Sequence, residues 1–234
     1  MSTASQIDAA APALATLEDA LAAAEDRLQR ALAHVSGAAG QSSGGADAYQ
    51  LQVYDLAFLR AGLSAAGAML RWARELEQTP DASLAAAMAG VFTAETVADL
   101  RSRVGMRAVD YGTTREALEA PFMGLIDGAL QQAASAQALE ALGDALTRLD
   151  GGTGPIDLPD DKRMMADTFR RFAEDVVMPR AEAIHREDLT IPAEIIDGVR
   201  ELGCFGLSVP ERFGGLLPDD GEDSLGMIVA TEEL

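Results

Sequence analysis

Between Arg200 and Gly215 the chain reads RELGCFGLSVPERFGG, and that order of stops and turns admits few conformations. Ile195, Ile196, Val199 and Leu202 recur at spacings of three and four, the stripe of a short helix. Gly203 follows where a left-handed residue would end it. Cys204, Phe205 and Leu207 to Val209 supply a short apolar piece expected to run extended, because Pro210 restricts Val209 to that geometry. Pro210 to Gly215 reads as a proline-initiated turn whose two glycines can take positive φ while Phe213 packs inward. Taken alone, such a piece is a surface connection between helices and carries no chemistry.

What surrounds it is helical. Aromatic residues make up only 5% of the 234 positions and alanine is abundant, which favours closely packed helices over a β-sandwich, so the expected fold class is all-α. A hydrophobic content of 48% is enough for one or two domains with a real core. Acidic residues number 38 against 18 basic ones, a formal net charge of −20, and that field repels phosphate backbones and anionic lipid. No nucleic-acid or membrane partner is therefore expected. No positively charged start precedes the alanine-rich amino terminus, and no apolar run is seen to approach the roughly 20 residues of a membrane span, which makes the cytoplasm the expected location. The single cysteine, Cys204, cannot form an internal disulfide; its apolar neighbours predict a buried, inert thiol in a reducing compartment.

Along the chain, Leu14, Leu17, Leu21, Ala24, Leu28, Ala31 or Leu32 and Val35 form one amphipathic stripe, with His34 expected as a capping residue in its last turn. Residues 37–45 read as a flexible linker. They lack the Gly-Lys-Ser/Thr ending of a phosphate-binding loop. A long helix is expected from Asp47 to Gln78 with Leu51, Tyr54, Phe58, Ala61, Ala65, Trp72 and Leu76 on its buried face, thinned at Ala61, Gly62, Ala65 and Gly67 so that a partner helix can approach closely. Stacking of Tyr54 and Trp72 on a nucleotide or flavin is the sharper alternative, and spacing does not support it. Thr79 and Pro80 signal a fresh start, Thr113 with Glu116 a capping box, and Pro121 a restart near Ala120. The glycine-rich hexapeptide Asp150–Pro155 marks the expected boundary between a helical extension, 1–150, and a second domain from 160, with 151–159 as linker.

Asp160 and Asp161 open the next helix, on which Met164 or Met165, Phe169, Phe172 and Val176 share a face until Pro179 bends or ends it. His185 stands among charges and is expected to be solvated. The acidic run Pro218–Asp223 lacks the ligand spacing of a calcium loop. Ser224 is the expected N-cap of a last helix that carries no stop signal, so the 234 residues are expected to be the front part of a longer polypeptide.

From about Asp160 onward the elements Phe169-Arg170-Arg171-Phe172, Ile191-Pro192, Leu202-Gly203, Phe205-Gly206, Pro210-Glu211, Phe213-Gly214-Gly215 and the terminal Glu232-Glu233-Leu234, in this order, resemble the amino-terminal helical domain of the acyl-CoA dehydrogenase family. The resemblance covers the last third of the chain. It implies a domain that is incomplete here and an enzyme that desaturates an acyl-CoA thioester: a glutamate takes the α-proton, the β-hydride passes to FAD, and the electrons leave to an electron-transfer flavoprotein. By the same resemblance the flavin-contacting β-domain and the catalytic base lie beyond Leu234. No catalytic, cofactor-binding or metal-binding residue is then expected here, the fragment alone is inactive, and Met227, Ala230, Thr231 and Leu234 are the candidate substrate-binding residues. The polyanionic CoA moiety would need a basic patch that this chain does not display. A long helical extension resembles the family members that act on branched dicarboxylyl-CoA, and a homo-oligomer is expected. The alternatives are a non-catalytic helical interaction or oligomerisation module, and an acyl-CoA oxidase or flavin monooxygenase relative.

Overall fold

The computed structural model describes residues 12–149, 154 and 156–234, and it is helical throughout. Among the described residues there is no strand, only an isolated bridge between Pro210 and Leu217. The chain divides into two compact units, Met1–Pro155 and Ile156–Leu234. The glycine-rich hexapeptide lies, Gly154 excepted, outside the described residues, as do the first eleven.

The first unit is built on three long helices, α1 (Leu14–Gln41), α2 (Gln50–Glu75) and α3 (Ala82–Met106), which pack on one another. Five short elements follow: a 3-10 turn at Ala108–Tyr111, α4 (Arg115–Glu119), a second 3-10 turn at Ala120–Phe122, α5 (Leu125–Ala133) and α6 (Ala136–Thr147). The restart at Ala120 is the one expected from Pro121. The capping residue of α4 is Thr114, not Thr113: its hydroxyl accepts from the Ala117 amide at 3.1 Å. Leu17, Ala24, Leu28, Ala31 and Val35 of α1 are buried as their spacing requires. That helix runs on through the expected linker to Gln41, so His34 is not a terminal cap. Its ring lies over Gly112 (φ 68°), where a Cβ would stand 2.4 Å from His34 Cγ.

The buried face of α2 differs from the expected one. Leu56, Leu59, Leu63, Ala66, Leu70 and Ala73 point inward, whereas Leu51, Tyr54 and Phe58 are exposed. The helix is apolar nearly all round, so its period admits two stripes, and the larger side chains marked the wrong one. The close approach expected at its thin middle is present: a Cβ on Gly62 would sit 3.1 Å from Thr96 Cγ2 of α3.

The segments Gly45–Glu75 and Ala82–Met106 are long and apolar enough to cross a membrane by length and composition, which corrects the expectation that no run reaches that length. Alanine raises their mean hydropathy to 1.2, and they pack against each other and α1. Two carboxylate clusters tie them down. Asp55 of α2, 2% exposed, accepts hydrogen bonds from Tyr111 Oη (2.7 Å), Arg103 Nη1 (3.1 Å) and Arg107 Nη2. Arg101 of α3 binds Glu119 and Asp127 (2.9 Å) while its guanidinium stacks over the Phe122 ring.

The second unit contains α7 (Asp160–Phe172), α8 (Met178–Arg186), α9 (Ala193–Glu201) and α10 (Ser224–Glu233). Asp160 and Asp161 occupy the first turn of α7, where the helix dipole favours them. Pro179 neither ends nor breaks the helix. A π-helical turn, Ala173–Val177, precedes it, with Met178 N donating to Ala173 O, and this wider register carries the chain past a proline that has no N–H to give. Phe172 packs under α9 at Gly198, where a Cβ would come within 2.3 Å of the ring.

Candidate functional site

Two features of the second unit build its candidate site: the fold-back from Gly203 to Leu217, and the outward face of α10. Gly203 ends α9 in the left-handed region (φ 77°), as the sequence required, and a Cβ there would meet Leu216 Cδ1 at 2.6 Å. The apolar piece is not extended: Cys204–Gly206 is a 3-10 turn, and Phe205 stands 62% exposed. Backbone bonds then stitch the loop together, with Leu216 N donating to Gly206 O (2.9 Å), Leu217 N to Val209 O (3.0 Å) and Glu211 N to Leu217 O (2.8 Å). Of the paired glycines, Gly214 takes positive φ (85°). Gly215 serves a different purpose, since a Cβ there would lie 1.8 Å from the Val209 carbonyl oxygen.

Phe213 does not pack inward. It is 71% exposed with the Arg212 guanidinium 4.8 Å above its ring, and Arg212 is held by Asp219. The turn Glu211–Phe213 is closed by its own backbone bonds and needs no buried anchor. Cys204 is half-buried, not fully buried as expected, and that partial burial pushes its thiol up. His185 is exposed, and among the described residues no group of His, Cys, Asp and Glu could hold a metal ion.

Helix α10 is fixed at both ends to α7. At its start Asp223, not Ser224, is the N-cap: Oδ1 accepts from the Gly226 amide at 2.9 Å while Oδ2 binds Lys162 Nζ at 2.6 Å. The Lys162 hydrogen bond holds the Asp223 carboxyl below its ordinary range, with the Gly226 amide adding to it, and the same contact raises Lys162. At its end Glu233 is gripped by Arg170, with Nε to Oε2 at 2.8 Å. Gly226, Val229 and Ala230 face inward along this seam, beside Ala166 and Phe169 of α7. The small residues let the helices approach, and at Gly226 a Cβ would meet Asp223 Oδ2 at 2.4 Å.

The outward face carries an open depression of about 460 Å³ bounded by Met227, Ile228, Thr231 and Glu232. Of the four expected substrate-binding residues, the structure brings together Met227 and Thr231. Ala230 is 1% exposed on the inner face, and Leu234 is exposed at the end of the helix. Ile228 and Glu232, which the sequence did not single out, complete the border of the depression. Gly226 and Ala230, four apart, mark the packed side of α10 and so put Met227, Ile228, Thr231 and Glu232 opposite it. The Thr231 hydroxyl donates to Met227 O at 2.7 Å, so what it offers outward is acceptor capacity and a methyl group. Glu233 is engaged by Arg170 on the side of α10 that faces α7.

Residues 159–234 match the family described as acyl-CoA dehydrogenase, N-terminal domain. The chain is 30% identical to (2S)-methylsuccinyl-CoA dehydrogenase of Cereibacter sphaeroides over 190 residues, 79% of this chain and 34% of that one. It is 39% identical to benzylmalonyl-CoA dehydrogenase of Aromatoleum aromaticum over 60 residues, 26% of this chain and 16% of the relative. It is also 34% identical over 79 residues to the human short-chain specific acyl-CoA dehydrogenase, covering 34% and 18% of the two chains. The chain thus spans about a third or less of the length of these curated relatives. With the turn chemistry, the helix order and these matches in agreement, residues 159–234 are an N-terminal domain of the acyl-CoA dehydrogenase family.

Proposed function

We propose that this chain is part of a flavin-dependent acyl-CoA dehydrogenase that introduces an α,β double bond into a branched dicarboxylyl-CoA thioester of the methylsuccinyl-CoA kind. The observation that carries this reading is the extent of one match: 190 residues are more than the second unit contains, so the similarity to the methylsuccinyl-CoA enzyme reaches into the helical first unit. The matches to the benzylmalonyl-CoA and short-chain enzymes cover no more than 79 residues.

In this reading Met227 and Thr231 border the acyl part of the substrate together with Ile228. Leu234 extends that border, and Ala230 contributes from behind by letting α10 lie close to α7. The depression is open, and the described residues around it do not by themselves enclose a flavin, so no chemical step is assigned to them. FAD and the catalytic glutamate belong, on this proposal, mainly to parts of the protein outside these 234 residues, and the fragment alone is inactive. An electron-transfer flavoprotein as oxidant, a homo-oligomer and a cytoplasmic location complete the reading.

The test is anaerobic titration of the complete protein. Methylsuccinyl-CoA should bleach its flavin absorbance. Bleaching by butyryl-CoA but not by methylsuccinyl-CoA would overturn the substrate assignment, and a complete protein without bound flavin would overturn the redox reading itself. Reoxidation by electron-transfer flavoprotein and not by oxygen would separate a dehydrogenase from an oxidase.

A further inference from the structure

In the first unit, the second half of α1 and the first half of α2 border a groove of about 420 Å³. Leu28, Val35 and Leu56 form its buried floor, Leu32 and Val53 its half-exposed walls, and Arg60 stands at its rim. The size is that of a small-ligand site, and the lining is apolar with few polar groups, the composition expected of one.

The charge around it is unlike that of the rest of the molecule. The chain carries 38 acidic residues, yet no Asp or Glu stands between Asp26 and Asp47 on the α1 side, or between Asp55 and Glu75 on the α2 side. The acids that bound these stretches are partly committed elsewhere: Asp26 binds Arg30, and Asp55 is buried against Arg103, Arg107 and Tyr111. Asp47, in the turn Gly45–Tyr49 that supplies Ala46 to the lining, is the nearest acid along the chain. Arg60 itself is exposed, and among the described residues it makes no ion pair or hydrogen bond. Most cations of this acidic protein are paired, whereas this one faces an apolar groove without a counter-charge.

We propose that this groove binds a small amphiphilic carboxylate, its apolar tail between α1 and α2 and its carboxylate on Arg60. Burial of the tail supplies the affinity, and the guanidinium selects the anionic head by a charge-assisted hydrogen bond. This site is independent of the depression on α10 and of the dehydrogenase reading.

The experiment is calorimetric titration of the 234-residue chain with three probes: octanoate, 1-octanol, which keeps the tail and lacks the charge, and acetate, which keeps the charge and lacks the tail. Octanoate should bind saturably and more tightly than octanol, and acetate not at all. Arg60→Gln, a change at an exposed residue without partners, should weaken octanoate by roughly two- to fivefold, the span of a solvent-exposed ion pair, and leave octanol unchanged. Ala57→Phe, which fills the groove from an exposed lining position, should weaken both tailed probes. The proposal is overturned if octanoate does not bind, if octanol binds as well as octanoate, if acetate binds as octanoate does, or if neither substitution changes octanoate affinity.

Discussion

Replacing Asp55 by Ala tests the argument that a buried carboxylate, and not apolar packing alone, locks α2 to α3. The substitution leaves the Tyr111 hydroxyl, in a side chain 1% exposed, without its acceptor at 2.7 Å, a loss of about 1–3 kcal/mol. Arg107 loses a carboxylate partner and already has a buried Nε without one, while Arg103 keeps Asp99 at 3.0 Å. Breaking a fully buried pair costs about 3–5 kcal/mol, but both guanidinium side chains here stay about 30% exposed and can turn to water. The expected sum is therefore about 2–4 kcal/mol. Urea unfolding followed by the fluorescence of Trp72, the only tryptophan and a residue of α2, reads this unit directly. The pH dependence supplies a second signature. Burial is the largest single influence on Asp55 and pushes its carboxyl up, yet the hydrogen bonds from Tyr111, Arg103 and Arg107 together outweigh it and the net shift is downward. A depressed carboxyl contributes stability that is present above its unfolded value, about 3.9, and lost as pH falls through the lower folded value. The gap between wild type and Asp55→Ala should thus be full near neutrality and close in strong acid. A gap below about 0.5 kcal/mol at pH 7, the range of a neutral surface change, would refute the reasoning, as would a gap that persists in strong acid.

Three further outcomes are expected. Asp223→Ala should destabilise the second unit by about 0.5–2 kcal/mol through loss of the α10 cap, measured by thermal unfolding. Because Lys162 is raised by this contact, its share of the stability should be complete below the unfolded lysine value and fade as pH rises through the higher folded one; Lys162→Met should abolish that alkaline limb. Gly214→Ala should cost about 1–2 kcal/mol, from positive φ alone, since a Cβ there meets nothing within 4 Å. Gly215→Ala, blocked by the Val209 carbonyl, should cost more and shift the amide signals of Leu216 and Leu217; equal effects at the two glycines would refute the distinction.

Local chemistry was enough to show that the chain is all-α, that α1 buries Leu17, Ala24, Leu28 and Val35, that Gly203 ends α9 and that the last third resembles an acyl-CoA dehydrogenase domain. The first rests on composition, the burial of α1 on spacings of three and four, the end of α9 on a turn residue whose φ favours glycine, and the last on a resemblance of motifs in order; all four are written along the chain itself. Which stripe of α2 faces inward was decided by tertiary packing, because an alanine-rich helix offers two apolar faces and only α1 and α3 choose between them. Phe213 stayed outside because the turn closes on its own backbone bonds, and α7 passed Pro179 by widening its register. The Asp55 cluster joins residues 48 to 56 positions apart, and the Lys162–Asp223 and Arg170–Glu233 clamps join residues 61 and 63 apart. No local rule pairs a carboxylate with an arginine at that range, so only the folded chain could say which charges meet and which face of α10 they leave open.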